Sequence, residues 1–168
     1  LRSGNDAAVT LAVATSKTEE NFVAEMNQKA QEIGMKDSIF ANPHGLDEET
    51  KNYSTAYDMA LLMQYASKNP IFSEISATKK YTVSTGSKTY LWYNRNKLLT
   101  RYKYCTGGKN GYTPSAGTTL VSTASKDNLD LITVSLNDSD TYTTHEKIDD
   151  YVFSKYKNYK IIDKDTFS

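Results

Sequence analysis

Two short polar patterns stand where chemistry could be done. Near the start of the chain, "SGN" puts the Ser3 hydroxyl two residues before the Asn5 amide. Far downstream, "GGKNGYT" puts the Lys109 ammonium two residues before Gly111. A hydroxyl can pass a proton, an amide both donates and accepts, and an ammonium carries a fixed positive charge. Each pattern alone also has a plain reading. Ser3 and Asn5 make a good helix N-cap region, and Lys109 a solvated strand-end lysine. Ser135-x-Asn137 repeats the first spacing.

Other chemistries fit less well. The only histidines, His44 and His145, and the only cysteine, Cys105, have no ligand spacing to one another, so the histidines are expected in loops and on the surface and no metal is expected. Gly107-Gly108-Lys109 is not a phosphate loop, because Lys103 stands where a glycine is needed and Asn110 follows the lysine. No G-x-S-x-G elbow anchors a serine triad. Asp47, Glu48 and Glu49 sit in a charged loop, and solvation explains them. No cofactor is implied.

The elements that must position these groups divide the chain. At 168 residues it is one domain or most of one, with 20 basic and 20 acidic side chains. That balance gives no reason to expect a nucleic-acid partner. One cysteine makes no internal disulfide, and no apolar run is long enough for a membrane span. "DAAVTLAVAT" has the composition of a buried helix. "SKTEENFVAEMNQKAQEIG" reads as a second helix, with a capping box from Ser16 to Glu19 and a stop at Gly34. "STAYDMALLMQYASKNP" is a third, capped near Ser54 or Thr55 and stopped before Pro70. Two short strands flank Gly86, and "GTTLVSTASKDNLDLITVSLN" is a hairpin turning at Asp127-Asn128. A closing helix carries Ile148, Tyr151, Val152 and Lys155 along one side. Helices, then an antiparallel sheet, then a helix give an α+β fold.

The chain resembles the D-alanyl-D-alanine carboxypeptidases, the low-molecular-mass penicillin-binding proteins, nearly end to end and in order. "SGNDAAVTLA" is similar to the family's S-G-N helix start, and "NFVAEMNQKAQEIGMKDSIFANPHGLD" to its helix and F-x-N-P-x-G-L loop. "YSTAYDMALL" resembles the next helix, "YLWYNRNKLL" the N-x-N-K-L-L segment, and "GGKNGYTPSAGTTLVSTASKDNLDLITVSL" the K-T-G-x-T strand and its hairpin partner. The resemblance implies a partial penicillin-binding-protein/β-lactamase-like transpeptidase domain over residues 1–158. Residues 159–168 would be a linker or the start of a second domain. It implies a serine peptidase that removes the terminal D-Ala from peptidoglycan stem peptides through an acyl-enzyme, outside the cytoplasm, and that β-lactams acylate.

Carried over residue by residue, the resemblance makes Ser3, Asn5 and Lys109 catalytic. Ser3 would pass a proton to the leaving amine, Asn5 would bond the substrate backbone, and Lys109 would face the terminal carboxylate. Asn110, Gly111, Tyr112 and Thr113 would line the substrate, with the Tyr112 N–H as an oxyanion donor and the Thr113 hydroxyl on the carboxylate. Three departures stand out. The family's nucleophile pattern S-x-x-K precedes S-x-N by tens of residues, so the reactive serine is expected upstream of this chain. The strings Ser76–Lys79 and Ser154–Lys157 fall in the wrong segments. Asn110 replaces the usual Thr, and Thr141 stands where many relatives carry an Arg. The last two favour an alternative, a non-catalytic module that keeps the fold and a peptidoglycan-peptide groove. Membrane attachment is expected only through segments outside the chain. A chain without its upstream strands and helix should show an open sheet edge and an apolar helix face, and should associate with itself.

Overall fold

The computed structural model describes residues 1–159. Six helices and five strands follow in order: α1 (Asn5–Ser16), α2 (Glu19–Glu32), α3 (Ala56–Ala66), α4 (Pro70–Ala77), β1 (Lys80–Thr85), β2 (Lys88–Tyr93), α5 (Leu98–Arg101), β3 (Cys105–Thr113), β4 (Gly117–Lys126), β5 (Leu129–Ser135) and α6 (Thr141–Lys155). The expected α+β order is present. The tail beyond residue 159 lies outside the described residues.

β1 and β2 form a separate antiparallel hairpin, and the main sheet runs β3-β4-β5, all antiparallel. Asp127 and Asn128 turn β4 into β5 at φ 52° and 62°, the left-handed pair that a tight hairpin requires. Period-two alternation gives the sheet two working faces. Leu120, Ser122 and Ala124 face α6. There Leu98, Tyr102, Leu120, Ala124 and Phe153 make the buried core, with Leu129, Leu131 and Tyr142 packed against it. On the other face α4 approaches β3 so closely that a Cβ on Gly107 would lie 2.7 Å from Ser76 Oγ and 3.2 Å from Thr123 Oγ1.

Several expectations need correction. The cap of α2 is Thr18, whose side chain accepts from Asn21 N at 3.1 Å. Ser16 ends α1 instead and its hydroxyl donates to Glu25 at 2.8 Å. Pro70 stops α3 only to open α4, because its fixed φ and missing N–H suit a first helical turn, and Asn69 caps that turn. α1 is not a buried helix: Leu11 and Val13 are 66% and 43% exposed, because α1 packs mainly against α2. On α6 the buried side is Thr141, His145, Asp149 and Phe153, while Ile148 and Tyr151 are exposed.

His145 is therefore not a surface histidine. It is fully buried between two serines, with Ser122 Oγ 2.7 Å from Nδ1 and Ser135 Oγ 3.0 Å from Nε2. Ser135 also bonds Thr141 Oγ1 at 2.5 Å, and Thr133 donates to Asp149 at 2.5 Å. This polar layer lets α6 seat on β4 and β5 with each of its buried groups hydrogen-bonded.

Candidate active site

Ser3 and Lys109, remote in sequence, meet. Lys109 Nζ donates to Ser3 Oγ at 2.7 Å and also to the Asn110 carbonyl. β3 is an edge strand of its sheet. Alternation places Lys109 and Gly111 on the face that α4 approaches. Gly111 has a close neighbour there: a Cβ would lie 2.8 Å from Thr119 Oγ1. Asn5 opens α1 beside Ser3 and is exposed. Asn110 is half-buried, and Tyr112 is largely exposed at the outer strand.

The segment between β2 and α5 fixes this meeting. Asn94 donates to the Ser76 and Thr78 carbonyls at 3.2 and 3.0 Å. Asn96, buried, donates to Gly107 O at 3.2 Å and so ties the segment to β3 two residues before Lys109. Between them the Arg95 amide donates to Leu1 O at 3.3 Å, and Tyr142 OH donates to Arg95 O at 3.1 Å. The N-terminal segment, β3 and the start of α6 thus share one anchor.

Burial holds the Lys109 ammonium below the usual lysine range, with the Arg95 charge as a second cause. Lys109 is nonetheless an exposed residue, so solvent screens much of that effect. The arrangement is a hydroxyl bonded to an ammonium, with a second cation nearby, on the open edge of a strand. It can hold an anionic group and relay a proton.

At the far end of β3 the sequence reading missed a residue. Thr113 Oγ1 donates to Asp47 Oδ2 at 2.7 Å, and Ser115 Oγ donates to the same oxygen. These bonds, Ser115 first and Thr113 second, hold the Asp47 carboxyl below its ordinary range. Asp47 is a structural partner of β3, not merely a solvated loop charge. The signal was its place at the end of "NPHGLD", but the contact spans 66 residues.

The other serine patterns lie elsewhere. Ser135-x-Asn137 belongs to the α6 layer. Ser76 Oγ donates to Ser73 O at 3.1 Å, and Ser154 Oγ donates to Tyr151 O at 2.7 Å, each a bond within its own helix. Thr141 is buried against Ser135 and does not reach the cleft. A cleft of about 490 Å³ runs between α3, α4 and the sheet, lined by Gln64, Ser67, Ser76, Thr106 and Thr123 among others. The larger concavity, about 640 Å³, lies between the start of α2 and the 41–50 loop and touches neither Ser3 nor Lys109. Among the described residues no group of three His, Cys, Asp or Glu could hold a metal.

A family model described as D-alanyl-D-alanine carboxypeptidase matches residues 1–140. The chain belongs to the D-alanyl-D-alanine carboxypeptidase family. It is 35% identical over 165 residues to the D-alanyl-D-alanine carboxypeptidase DacF of Bacillus subtilis, covering 96% of this chain and 42% of that protein. The crystal structure of a D-alanyl-D-alanine carboxypeptidase of Mycobacterium tuberculosis superposes with a TM-score of 0.85 at 30% identity, over 93% of this chain and 61% of that one. A penicillin-binding protein of Listeria monocytogenes in a cefotaxime-bound form superposes with a TM-score of 0.77 at 29% identity, over 90% of this chain and 62% of that one. The chain thus spans well under half the length of the Bacillus carboxypeptidase and under two thirds of either solved chain.

Proposed function

We propose that this chain is the downstream part of a serine D-Ala-D-Ala carboxypeptidase acting on peptidoglycan stem peptides outside the cytoplasm. The observation that carries the reading is the 2.7 Å bond from Lys109 to Ser3 at the edge of β3. The substrate adds antiparallel to β3 as an extra strand. Its terminal carboxylate lies toward Lys109 and Arg95, and its scissile carbonyl lies against the Tyr112 N–H.

A serine outside the chain attacks the carbonyl carbon between the two D-Ala residues. The C–N bond breaks, and the departing D-Ala amine takes a proton relayed by Ser3. Water then hydrolyses the acyl-serine ester and restores the serine. Asn5 bonds the substrate amide, and Gly111 leaves the strand edge open to it. The Thr113 hydroxyl, committed to Asp47, braces the strand end, so the carboxylate is left to Lys109, Arg95 and Asn110. Among the described residues no helix is long and apolar enough to cross a membrane.

Asn110 in place of Thr, and the buried Thr141, favour a second reading, a non-catalytic module that binds the same peptide. Fluorescent-penicillin labelling of the full-length protein beside this chain separates the possibilities. The carboxypeptidase reading expects a covalent adduct on the full-length protein and none on this chain by intact mass. A full-length protein that binds stem peptide without forming an adduct supports the module. An adduct mapped to Ser76, Ser154 or any other serine here overturns the placement of the nucleophile.

A further inference from the structure

The edge of β3 is electrically bipolar. One end carries Lys109 with Arg95 nearby. The other carries Asp47, seated on Thr113 and Ser115, with Glu48 and Glu49 next in the chain and the Lys51 charge close enough to act on it. Lys109 and Thr113 are four residues apart on one strand, a span of about 13 Å. Both side-chain bonds to Asp47 fall on Oδ2, and its own backbone amide and the Lys51 charge also act on the carboxylate. Asp47 is only half-buried, so a ligand can reach it.

A peptide whose C-terminal carboxylate sits at Lys109 runs antiparallel to β3. Its terminal residue then lies near Lys109 and Asn110, its penultimate residue at Tyr112, and the residue before that beside Thr113. We infer that Asp47 is a specificity-determining residue that reads a cationic amine on the side chain of the residue preceding the terminal D-Ala-D-Ala pair. An amine on a side chain of about four carbons reaches from there toward the Asp47 carboxylate, which it would share with Lys51. The two hydroxyls keep the carboxylate anionic and hold it in one place, so its charge meets the amine without first having to be ordered. The two ends make a match of opposite polarity: anion to Lys109 at one, cation to Asp47 at the other. Such a pairing selects register and direction more than it adds affinity.

The inference rests on the carboxypeptidase reading, and the test separates the two. The full-length protein is assayed with Nα-acetyl-L-Lys-D-Ala-D-Ala, whose side-chain amine is free, and with its Nε-acetylated counterpart. The ratio of kcat/KM values is the readout, because a loss of folding lowers both and leaves the ratio alone. The wild type is expected to prefer the free amine by about five-fold at low salt, falling toward unity at high salt. Asp47→Asn brings the ratio to about one, Asp47→Glu retains a preference, and Asp47→Lys inverts it. Equal rates on both peptides in the wild type, or a preference that survives Asp47→Asn, overturn the role of Asp47 while the carboxypeptidase reading stands. Hydrolysis of neither peptide removes the reading and the inference together.

Discussion

His145 makes the fold itself pH-dependent. It is completely buried between Ser122 and Ser135. Desolvation pushes its pKa from 6.5 down to about 4, and the Asp138 charge opposes only part of that. The folded chain therefore refuses a proton that the unfolded chain accepts below pH 6.5. Between pH 6.5 and 4 the unfolded state binds more protons, so stability falls as pH falls, by at most about 1.4 kcal/mol per pH unit. A depression from 6.5 to about 4 amounts to about 3 kcal/mol across that window. Buried Asp149, one turn along α6, has its pKa raised by desolvation and acts with the opposite sign: its neutral form is favoured as pH falls toward the ordinary carboxylate range. A variant is needed to isolate the histidine. Urea denaturation of wild type and His145→Gln from pH 7.5 to 4.5 supplies the comparison. The variant is less stable at neutral pH, but its stability should fall less steeply on acidification, so the two curves converge. Parallel curves, differing by a constant within about 0.5 kcal/mol, would refute the assignment of the depressed pKa to His145. So would an imidazole proton resonance that titrates near 6.5.

Other tests follow from packing. Gly108 sits at φ 140° with the site of a Cβ only 2.5 Å from Val121 O and 2.9 Å from Ser122 Cα. Gly108→Ala should cost about 2 kcal/mol or more in chemical denaturation, and a loss below about 0.5 kcal/mol would show that the strand shifts freely there. The open β5 edge and the exposed Leu11 and Val13 on α1 should make this chain self-associate on concentration. Light scattering checks this, Leu11→Lys should reduce it, and a clean monomer at high concentration contradicts it.

The sheet was legible because its alternation is regular and Asp127-Asn128 is a strong turn signal. Thr55 and Gly34 marked helix ends as expected, and the pairing of "SGN" with "KNG" anticipated the Ser3–Lys109 contact. Local pattern misled where an element buries polar groups. The buried side of α6 is Thr141, His145 and Asp149, which hydropathy assigns to solvent, whereas Ile148 and Tyr151, which hydropathy assigns to a core, are exposed. α4 was missed because a proline reads equally as a stop and as a first-turn residue. Asp47 was read as a solvated charge because its partners Thr113 and Ser115 are distant in the chain. Nothing in the spacing of α1 says that α2 would be its main cover.

The bond between Lys109 and Ser3 joins residues 106 apart. A contact of that separation closes a long loop, which raises the chain-entropy cost of forming it. The Lys109–Ser3 contact is thus a property of tertiary structure: no single hairpin or helix pair contains it. Any change that frees the first residues, whether a cut before α1 or a weakened Asn96 anchor, would undo the Lys109–Ser3 contact while the sheet and its core remained folded. Ligand binding and global unfolding would then report two different melting events in one molecule.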